Sequence, residues 1–431
     1  MKISMMTNWN VSCGVSTHAE AVGREWLKMG HQLKVFAPYH TIRTNKDEAY
    51  VVRCYDNCEN SYFNPTPFIE DDSDIFVVQN LEDKPMQALL KVYPSIRKRA
   101  KTVLVIHEGG LPKDENFYKF DFDAVVCFDE RYQSEFSKVL RFEKIQIIPY
   151  PCYPLTRGDK KQARQTLRLP VNRRIIFNYG LNAHRLILFL PFVERLSAKY
   201  PILFLVVTEF KEWLQIFDAL KKGRYGFIEW REGPIPIDVL YTYLHASDVL
   251  VIDKDNAPGI VVSSTAYLCL GSGCPILVHD TNFFDTLGKE VIKYESAEDF
   301  LQKIEDIFNM KQNVVMTLQA AEKYVRENSG WEIGKRFIEL FEALRTGIRE
   351  KTFIRISRSR VKPKLLAEKP QIASAHLASA IARAVDEPKI GPALGIHARG
   401  LEAASATIAE RSSGGNTKTV PSLEGLKEEE T

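Results

Sequence analysis

The first 37 residues, MKISMMTNWNVSCGVSTHAEAVGREWLKMGHQLKVFA (1–37), contain two apolar runs that are separated by a polar loop and an amphipathic segment. Lys2–Met6 and Gln32–Ala37 have the length and apolar content of buried strands, and Thr17–Met29 spaces its apolar residues as a helix does. A strand, a helix and a second strand in this order are typical of a parallel sheet covered by helices. We therefore predict that the chain begins with a doubly wound α/β domain.

The alternation of strand-like and helical segments continues along the chain in two sets. The first set goes on with Asp74–Val78, Thr102–Ile106, Asp123–Phe128 and Ile145–Ile148. The second set consists of Arg174–Tyr179, Ile202–Thr208, Tyr225–Trp230, Asp248–Asp253, Pro275–His279 and Val291–Tyr294. Two such sets predict two Rossmann-like domains, each with its own parallel sheet.

Prolines mark the boundary between the two sets. Pro149–Pro154 contains three prolines, which remove backbone donors and prevent a continued helix or central strand. We predict an N-terminal domain over 1–150, a second domain over 151–328 and a closing helix over 329–350. Residues 351–431 are rich in Ala, Ser, Gly and Pro, and we predict a mostly disordered tail there.

Composition limits the classes of protein that this chain can belong to. Its 431 residues are 45% hydrophobic and 26% charged, with a formal net charge of +3, which predicts globular domains and gives no reason to expect a nucleic-acid partner. We find no export signal and no apolar run of about 18 residues, so we expect a cytoplasmic protein. The seven scattered cysteines fit reduced thiols. Cys54 and Cys58 lack a second pair at zinc-ligand spacing, so no metal site is predicted.

The loop after the first strand is the first candidate site. Gly14 and Val15 precede a helix whose first-turn amides are free donors, and a glycine there lets a phosphate or sugar oxygen approach the backbone. Thr17 and Glu20 have the spacing of a capping box, and Gly30 stands where the helix should stop. A tight turn that needs only a glycine is the alternative, because Gly14 is not part of a three-glycine dinucleotide fingerprint.

A histidine ends a buried strand of the first domain. His107 and Glu108 follow Thr102–Ile106, and ligands of open α/β sheets bind at the carboxyl ends of strands. We predict that His107 donates to a sugar hydroxyl or stabilises charge on a leaving group. The alternative is a histidine that only satisfies local backbone groups.

Two loops of the second domain carry candidates for phosphate binding. Gly180 follows the first strand of this domain, and Arg185 could neutralise a departing diphosphate unless it is merely solvated. Further along, Gly259 precedes a predicted helix start, where amides and hydroxyls suit a phosphate cradle. The hydroxyls there belong to Ser263, Ser264 and Thr265. Capping without a ligand is the alternative for them.

Several of these motifs together resemble the retaining glycosyltransferases of family 4, which have the GT-B fold. The opening Cys13-Gly14-Val15, the pair His107-Glu108, the helix exit Gly273-Cys274-Pro275-Ile276 and the helix start Ser329-Gly330-Trp331 are similar to that family. The resemblance spans about Met1–Leu344.

The resemblance implies two facing domains, a nucleotide-diphosphate sugar as donor substrate, and a hexosyl transfer with retention and without a metal or other cofactor. His107 and Arg185 would be the catalytic residues. The residues that would hold the donor phosphates are Gly14, Val15, Gly180, Gly259, Ser263, Ser264 and Thr265. Backbone groups near Glu229 and Trp230 would meet the nucleotide base.

One departure from the family pattern keeps a second class of function open. Family members usually have two glutamates eight positions apart near the donor, whereas this chain has Asn256 and Ser264, or Ile260 and Leu268, depending on the register. The alternative is therefore a non-catalytic subunit that binds a nucleotide sugar or acts as a scaffold. A nicotinamide-dependent dehydrogenase lacks its glycine fingerprint here.

The resemblance also implies a carbohydrate or lipid-linked acceptor. The basic stretch Tyr93–Lys101 could bring the protein to the inner face of a membrane, since clustered Lys and Arg attract anionic lipid. The alternative is a solvated helix end.

Overall fold

The computed structural model describes residues 1–57, 61–180 and 183–347. The predicted tail over 351–431, the last residues of the predicted closing helix and Cys58 lie outside the described residues.

The described residues form two parallel sheets with helices on their faces, as predicted. The strands of the first sheet are β1 (Lys2–Met6), β2 (Gln32–Pro38), β3 (Val51–Tyr55), β4 (Ile75–Gln79), β5 (Lys101–Val105), β6 (Ala124–Cys127) and β7 (Ile145–Ile147). Their order in space is β3-β2-β1-β4-β5-β6-β7. Since this order reverses between β1 and β4, a crevice for ligands opens at the carboxyl ends of these two strands.

The second sheet repeats this plan. Its strands are β8 (Arg174–Tyr179), β9 (Ile202–Thr208), β10 (Ile228–Glu232), β11 (Val249–Ile252), β12 (Ile276–His279) and β13 (Ile292–Tyr294). The order β10-β9-β8-β11-β12-β13 reverses between β8 and β11. Each domain therefore has one switch point, a name that we use below for the crevice between β1 and β4 and for the crevice between β8 and β11.

Helices connect the strands of both sheets. They are α1 (Gly14–Lys28), α2 (Thr66–Ile69), α3 (Met86–Arg97), α4 (Glu130–Phe136), α5 (Lys160–Thr166), α6 (Leu190–Ser197), α7 (Lys211–Gly223), α8 (Ile237–Ala246), α9 (Ser264–Cys269), α10 (Ala297–Phe308), α11 (Gln312–Asn328) and α12 (Gly330–Thr346). No helix of the described ranges is long and apolar enough to cross a membrane.

The start of α1 differs from the prediction. Cys13 rather than Thr17 is the N-cap, because its backbone is extended (φ −152°, ψ 161°) and its thiol accepts from the Ser16 amide at 3.4 Å. Glu20 cannot complete a box with Thr17, since its carboxylate accepts from the Asn10 amide and the Ser16 hydroxyl instead. The predicted stop is confirmed, with Gly30 at φ +85°.

Strand β3 was not predicted. It lies at the edge of the first sheet beside β2, and its middle residue is charged: Arg53 donates to Asp47 at 2.6 Å and to the Trp9 carbonyl at 2.9 Å. A short edge strand with a central arginine lacks the apolar run by which the other strands were recognised.

The chain crosses between the domains twice, and the two crossings lie side by side. Cys152, in the proline-rich segment, donates its amide to the Asn328 carbonyl at 2.7 Å and accepts from the Gly330 amide at 3.0 Å. Beyond this point α12 packs on α1 of the first domain. The Trp26 indole donates to the Gly334 carbonyl at 3.3 Å, and the Phe337 ring packs edge-on against the Trp26 ring.

Candidate functional site

Loops from the carboxyl ends of both sheets meet at the boundary between the domains. The starts of α1 and α9 are in contact there: a β-carbon added to Gly14 would stand 3.3 Å from Cβ and Oγ of Ser264. The Tyr150 hydroxyl donates to the Gly14 carbonyl at 2.7 Å and fixes this loop. A phosphate group does not fit between Gly14 and Ser264 at this separation.

A second contact across the boundary joins two glycines. The Ile260 amide donates to the Gly109 carbonyl at 2.6 Å, and a β-carbon on Gly259 would overlap that same carbonyl. Asn282 holds the loop from the other side, because its side-chain amide donates to the Ala257 and Gly259 carbonyls, each at 2.9 Å. Gly259 therefore serves a close approach of two backbones, and its contact with a donor phosphate stays a prediction.

Arg131, which the sequence analysis did not single out, also bridges the domains. From α4 it donates to the Asn282 carbonyl, the Asp285 carboxylate and the Val261 carbonyl, each at 3.0 Å. Its own neighbour Asp129 orients the guanidinium. Nothing in the sequence distinguishes Arg131 from any other polar helix residue, because its partners come from a distant part of the chain.

His107 lies at the carboxyl end of β5 beside a second histidine. The Gln79 side-chain oxygen accepts from His107 Nε2 at 3.1 Å and from His18 Nδ1 at 2.9 Å. Burial lowers the pKa of His18 to about 4 and holds the pKa of His107 well below its usual range, with the charge of the nearby Lys84 acting in the same direction. Both imidazoles are therefore neutral at pH 7, and His107 keeps Nδ1 as a hydrogen-bond acceptor.

Glu108 and Lys84 are buried beside this histidine pair. The Glu108 carboxylate accepts from the amides of Glu82 at 3.0 Å and His107 at 2.9 Å, and burial raises its pKa to about 7. The Lys84 ammonium donates to the Asn57 side-chain oxygen at 3.2 Å, and burial lowers its pKa. Lys84 follows β4 and so stands at the first switch point, a position that becomes visible only once the strand order is known.

Arg185 is not a free cation in this conformation. Its Nε donates to Asp253 at 2.7 Å, and its two terminal nitrogens bond both oxygens of Asp255 at 2.5 and 2.6 Å. Two carboxylates therefore compensate its charge. A role for Arg185 at a leaving diphosphate stays a prediction, and it requires the side chain to exchange these partners.

Lys254 is the cation with an uncompensated charge at the second switch point. It follows β11 directly, and it forms neither a hydrogen bond nor an ion pair with any of the described residues. Its ammonium lies 4.4 Å from the centre of the Phe283 ring, and burial lowers its pKa to about 8. We did not predict Lys254, because a lysine between Asp253 and Asp255 is typical of a solvated turn.

The hydroxyl cluster of the second domain begins α9. Ser263 is buried, and its hydroxyl oxygen accepts from the Ala266 amide at 3.4 Å, so it caps the helix. Ser264 and Thr265, in the first turn of α9, and Val15, in the first turn of α1, are half-buried at the boundary. Their contact with phosphate stays a prediction, and capping describes what Ser263 does here.

The remaining predicted residues lie around the second sheet. Gly180 ends β8 at φ +109°, a left-handed conformation that favours glycine. Glu229 and Trp230 lie within the edge strand β10, in register with Leu205 and Val206. They are two strands away from β8, so a base that contacts them would extend along the sheet from the switch point. Among the described residues, no group of three or more His, Cys, Asp or Glu is placed to hold a metal ion.

Solved structures with the same two-domain arrangement identify the fold, although no protein-family model matches the sequence. The chain resembles sucrose-phosphate synthase from Thermosynechococcus elongatus with a TM-score of 0.60 and 13% identity, over 81% of this chain and 100% of that one. The likeness to a glycosyltransferase from Rickettsia africae has a TM-score of 0.56 and 16% sequence identity, over 80% of this chain and 98% of that one. The likeness to Anabaena HepE in complex with UDP-glucose has a TM-score of 0.58 and 12% sequence identity, over 80% of this chain and 100% of that one.

At these identities the likeness concerns the fold alone. The chain has the GT-B fold, as the sequence analysis predicted.

Proposed function

We propose that the protein transfers a sugar from a nucleotide-diphosphate donor to an acceptor hydroxyl, as a metal-independent enzyme of the family 4 type that retains the anomeric configuration. The observation that carries this proposal is the meeting of two switch points at one boundary, with the starts of α1 and α9 in contact across it. Free amides at helix starts suit a pyrophosphate. The nucleotide sugar that HepE holds supports a ligand of the same kind here.

In the donor half, Lys254 would meet the diphosphate. An ammonium without a carboxylate partner gains most from an approaching anion, and it would stabilise the charge that develops as the diphosphate leaves. The amides around Gly14 and Ser264 would share this charge once the helix starts have separated. Arg185 would join only by exchanging Asp255 for a phosphate oxygen.

In the acceptor half, the neutral His107 would position the acceptor hydroxyl. Its Nε2 hydrogen is already given to Gln79, so His107 cannot donate to a sugar hydroxyl as the sequence analysis predicted, and Nδ1 is the atom left to accept from one. Positioning of this kind, together with charge stabilisation at the diphosphate, supplies most of the rate in group transfer of this type.

A non-catalytic nucleotide-sugar-binding or scaffolding subunit is the second candidate, and a specific observation favours it. No carboxylate stands at either pair of positions where family members carry glutamates. Two of those residues have other tasks: the Asn256 side chain accepts from the Asn282 amide at 3.0 Å, and Ser264 abuts Gly14.

Nucleotide binding and turnover separate the two candidates. We expect at least one of UDP, GDP, ADP and their sugars to raise the melting temperature in a thermal-shift measurement, because a ligand that binds only the native state stabilises it. Release of nucleotide from that donor, with or without an acceptor, would support the enzyme. Binding without release across donors and acceptors would favour the scaffold, and no shift with any nucleotide would reject both.

We also propose a cytoplasmic location and a carbohydrate or lipid-linked acceptor. Contact with a membrane through Tyr93–Lys101 would hold the cleft away from the lipid, since Lys101 begins β5 at the amino edge of the sheet. The charges there are also partly paired, with Arg97 on Asp121 at 2.7 Å and Lys101 on Asp123 at 3.8 Å. Equal sedimentation with anionic vesicles by the wild type and an Arg97/Lys98/Arg99 alanine variant would dismiss contact through this stretch.

A further inference from the structure

We propose that the acceptor carries an anionic group, a phosphate or a carboxylate, and that Lys84 binds this group at the first switch point. This inference rests on the proposed sugar transfer, because it assigns the acceptor side of the same cleft. It arises from the position of Lys84, from its neutral partners and from the helix start beside it.

Lys84 is buried at the place where a ligand of the first sheet would bind. Only 1% of the residue is exposed, and it stands in the loop that follows β4, at the first switch point. The backbone of this loop is anchored: its Glu82 amide donates to Glu108, which also accepts from the amide of His107. The ammonium is therefore held next to the histidine that we assign to the acceptor hydroxyl.

The partners of the ammonium are neutral. Its hydrogen bond goes to the amide oxygen of Asn57, whose own amide donates to Asn8 at 2.7 Å, and the Tyr55 ring lies beneath it at 5.8 Å. No carboxylate of the described residues comes within ion-pair distance of Lys84. An ammonium has three hydrogens to donate, so two are left for a ligand.

A buried cation of this kind is costly unless something compensates it. The charges of Asp83 and Glu108 partly offset this cost, since they raise the pKa of the Lys84 ammonium, but neither carboxylate is within ion-pair distance of it. The start of α1 is close, because Asn8 donates to the thiol of its N-cap, Cys13, at 3.6 Å. An anion at the Lys84 ammonium would also gain from the positive end of the α1 dipole.

Two variants of the full chain test the assignment. Lys84→Met keeps the length and burial of the side chain without the charge, and Asn57→Asp places a carboxylate where the amide oxygen now accepts. Either change should remove the anion site. The control is Lys254→Met, which removes the matching lysine from the other switch point.

Calorimetric titration with glucose 6-phosphate, glucuronate, glucose and inorganic phosphate, each with and without saturating nucleotide, measures the effect. We expect the wild type to bind at least one of the two sugar anions about tenfold or more tightly than glucose. Lys84→Met and Asn57→Asp should both lose this preference while they bind nucleotide normally. Which anion is preferred distinguishes phosphate from carboxylate. The control should show the reverse, with weakened nucleotide binding and an unchanged anion preference.

Two results would overturn the proposal: a wild type that does not prefer the anionic sugars to glucose, or a preference for them that survives in both Lys84→Met and Asn57→Asp. Failure of nucleotide to bind would count against the proposed transfer instead, because the titrations without nucleotide still report on Lys84. If Lys84→Met does not fold, Asn57→Asp decides the matter, since its ion pair with the buried lysine offsets the loss of the hydrogen bond to Asn8.

Discussion

The two switch points carry the same element, a lysine that follows the central strand, but they surround it differently. At the second switch point, Asp253 and Asp255 are both bound to Arg185, which leaves Lys254 against the Phe283 ring. At the first, Lys84 faces the amide of Asn57. Arg185 looks like the anion-binding residue in the sequence, yet its charge is already compensated. Whether a cation can receive a ligand therefore depends on which carboxylates the fold has already assigned to it.

The largest expected effect comes from breaking the pair that makes Arg185 structural. Arg185→Met would leave Asp253 buried at 3% exposure without its cation, so the free energy of unfolding should fall by about 3 kcal/mol. Lys254→Met removes no ion pair and takes away a buried charge, so it should not lower stability. Urea denaturation of both variants measures the contrast. Equal losses would mean that the two cations do not differ as described.

A second test asks whether the proposed activity requires the contact that joins the two domains at their switch points. Gly259→Ala places a methyl group on the Gly109 carbonyl, and overpacking of this kind costs about 2 kcal/mol, so closure and sugar transfer should fall about thirtyfold. Gly110→Ala is the matched control, because a β-carbon there meets nothing within 4 Å. Steady-state turnover of the two variants gives the answer, and equal rates would contradict a role for this contact.

A third test weakens closure without adding bulk. Arg131→Ala removes three hydrogen bonds across the boundary, and we expect the closed form to lose about 1.5 kcal/mol. Because the helix starts must separate to admit a phosphate, nucleotide-sugar affinity should rise about tenfold. Small-angle scattering should show a more open particle. Lys138→Ala, which breaks only an exposed pair with Glu135, should change neither quantity.

The smallest effect is a dependence on pH that belongs to the second switch point alone. Because the pKa of Lys254 is lowered to about 8, the ammonium is charged below that pH and neutral above it, so nucleotide affinity should fall about fourfold by pH 8.5. The unfolded chain binds more protons between about pH 8 and 10.5, so this lysine makes the protein more stable as pH rises through that range. Lys254→Met should abolish both trends, and their persistence would assign them to another group.

Most of the fold could be predicted because buried parallel strands are read directly from apolar runs. Lys2–Met6, Arg174–Tyr179 and Ile202–Thr208 were predicted with the bounds that they have. The strand around Arg53 was missed since an edge strand needs no apolar run, and Cys13 was missed as a cap because a thiol is a weak acceptor.

Less of the candidate site could be predicted. The sequence pointed to the loops at Gly14, Gly259 and Ser264, and the structure brings the first and last into contact. It did not point to Lys84 or Lys254, because their significance lies in strand order and in the lack of an ion-pair partner among the described residues. Both depend on residues distant in the chain, which no local pattern records.

The paired crossings at Cys152 and Ser329 set the geometry of any opening. The two crossing segments are bonded to each other, so we expect any opening of the domains to be a rotation about this line, which we call the hinge. Gly14 lies near this hinge, because its carbonyl accepts from the hydroxyl of Tyr150, two residues before Cys152. Points far from a pivot travel furthest, and the gap between any two loops in the open protein should therefore widen in proportion to their distance from Cys152.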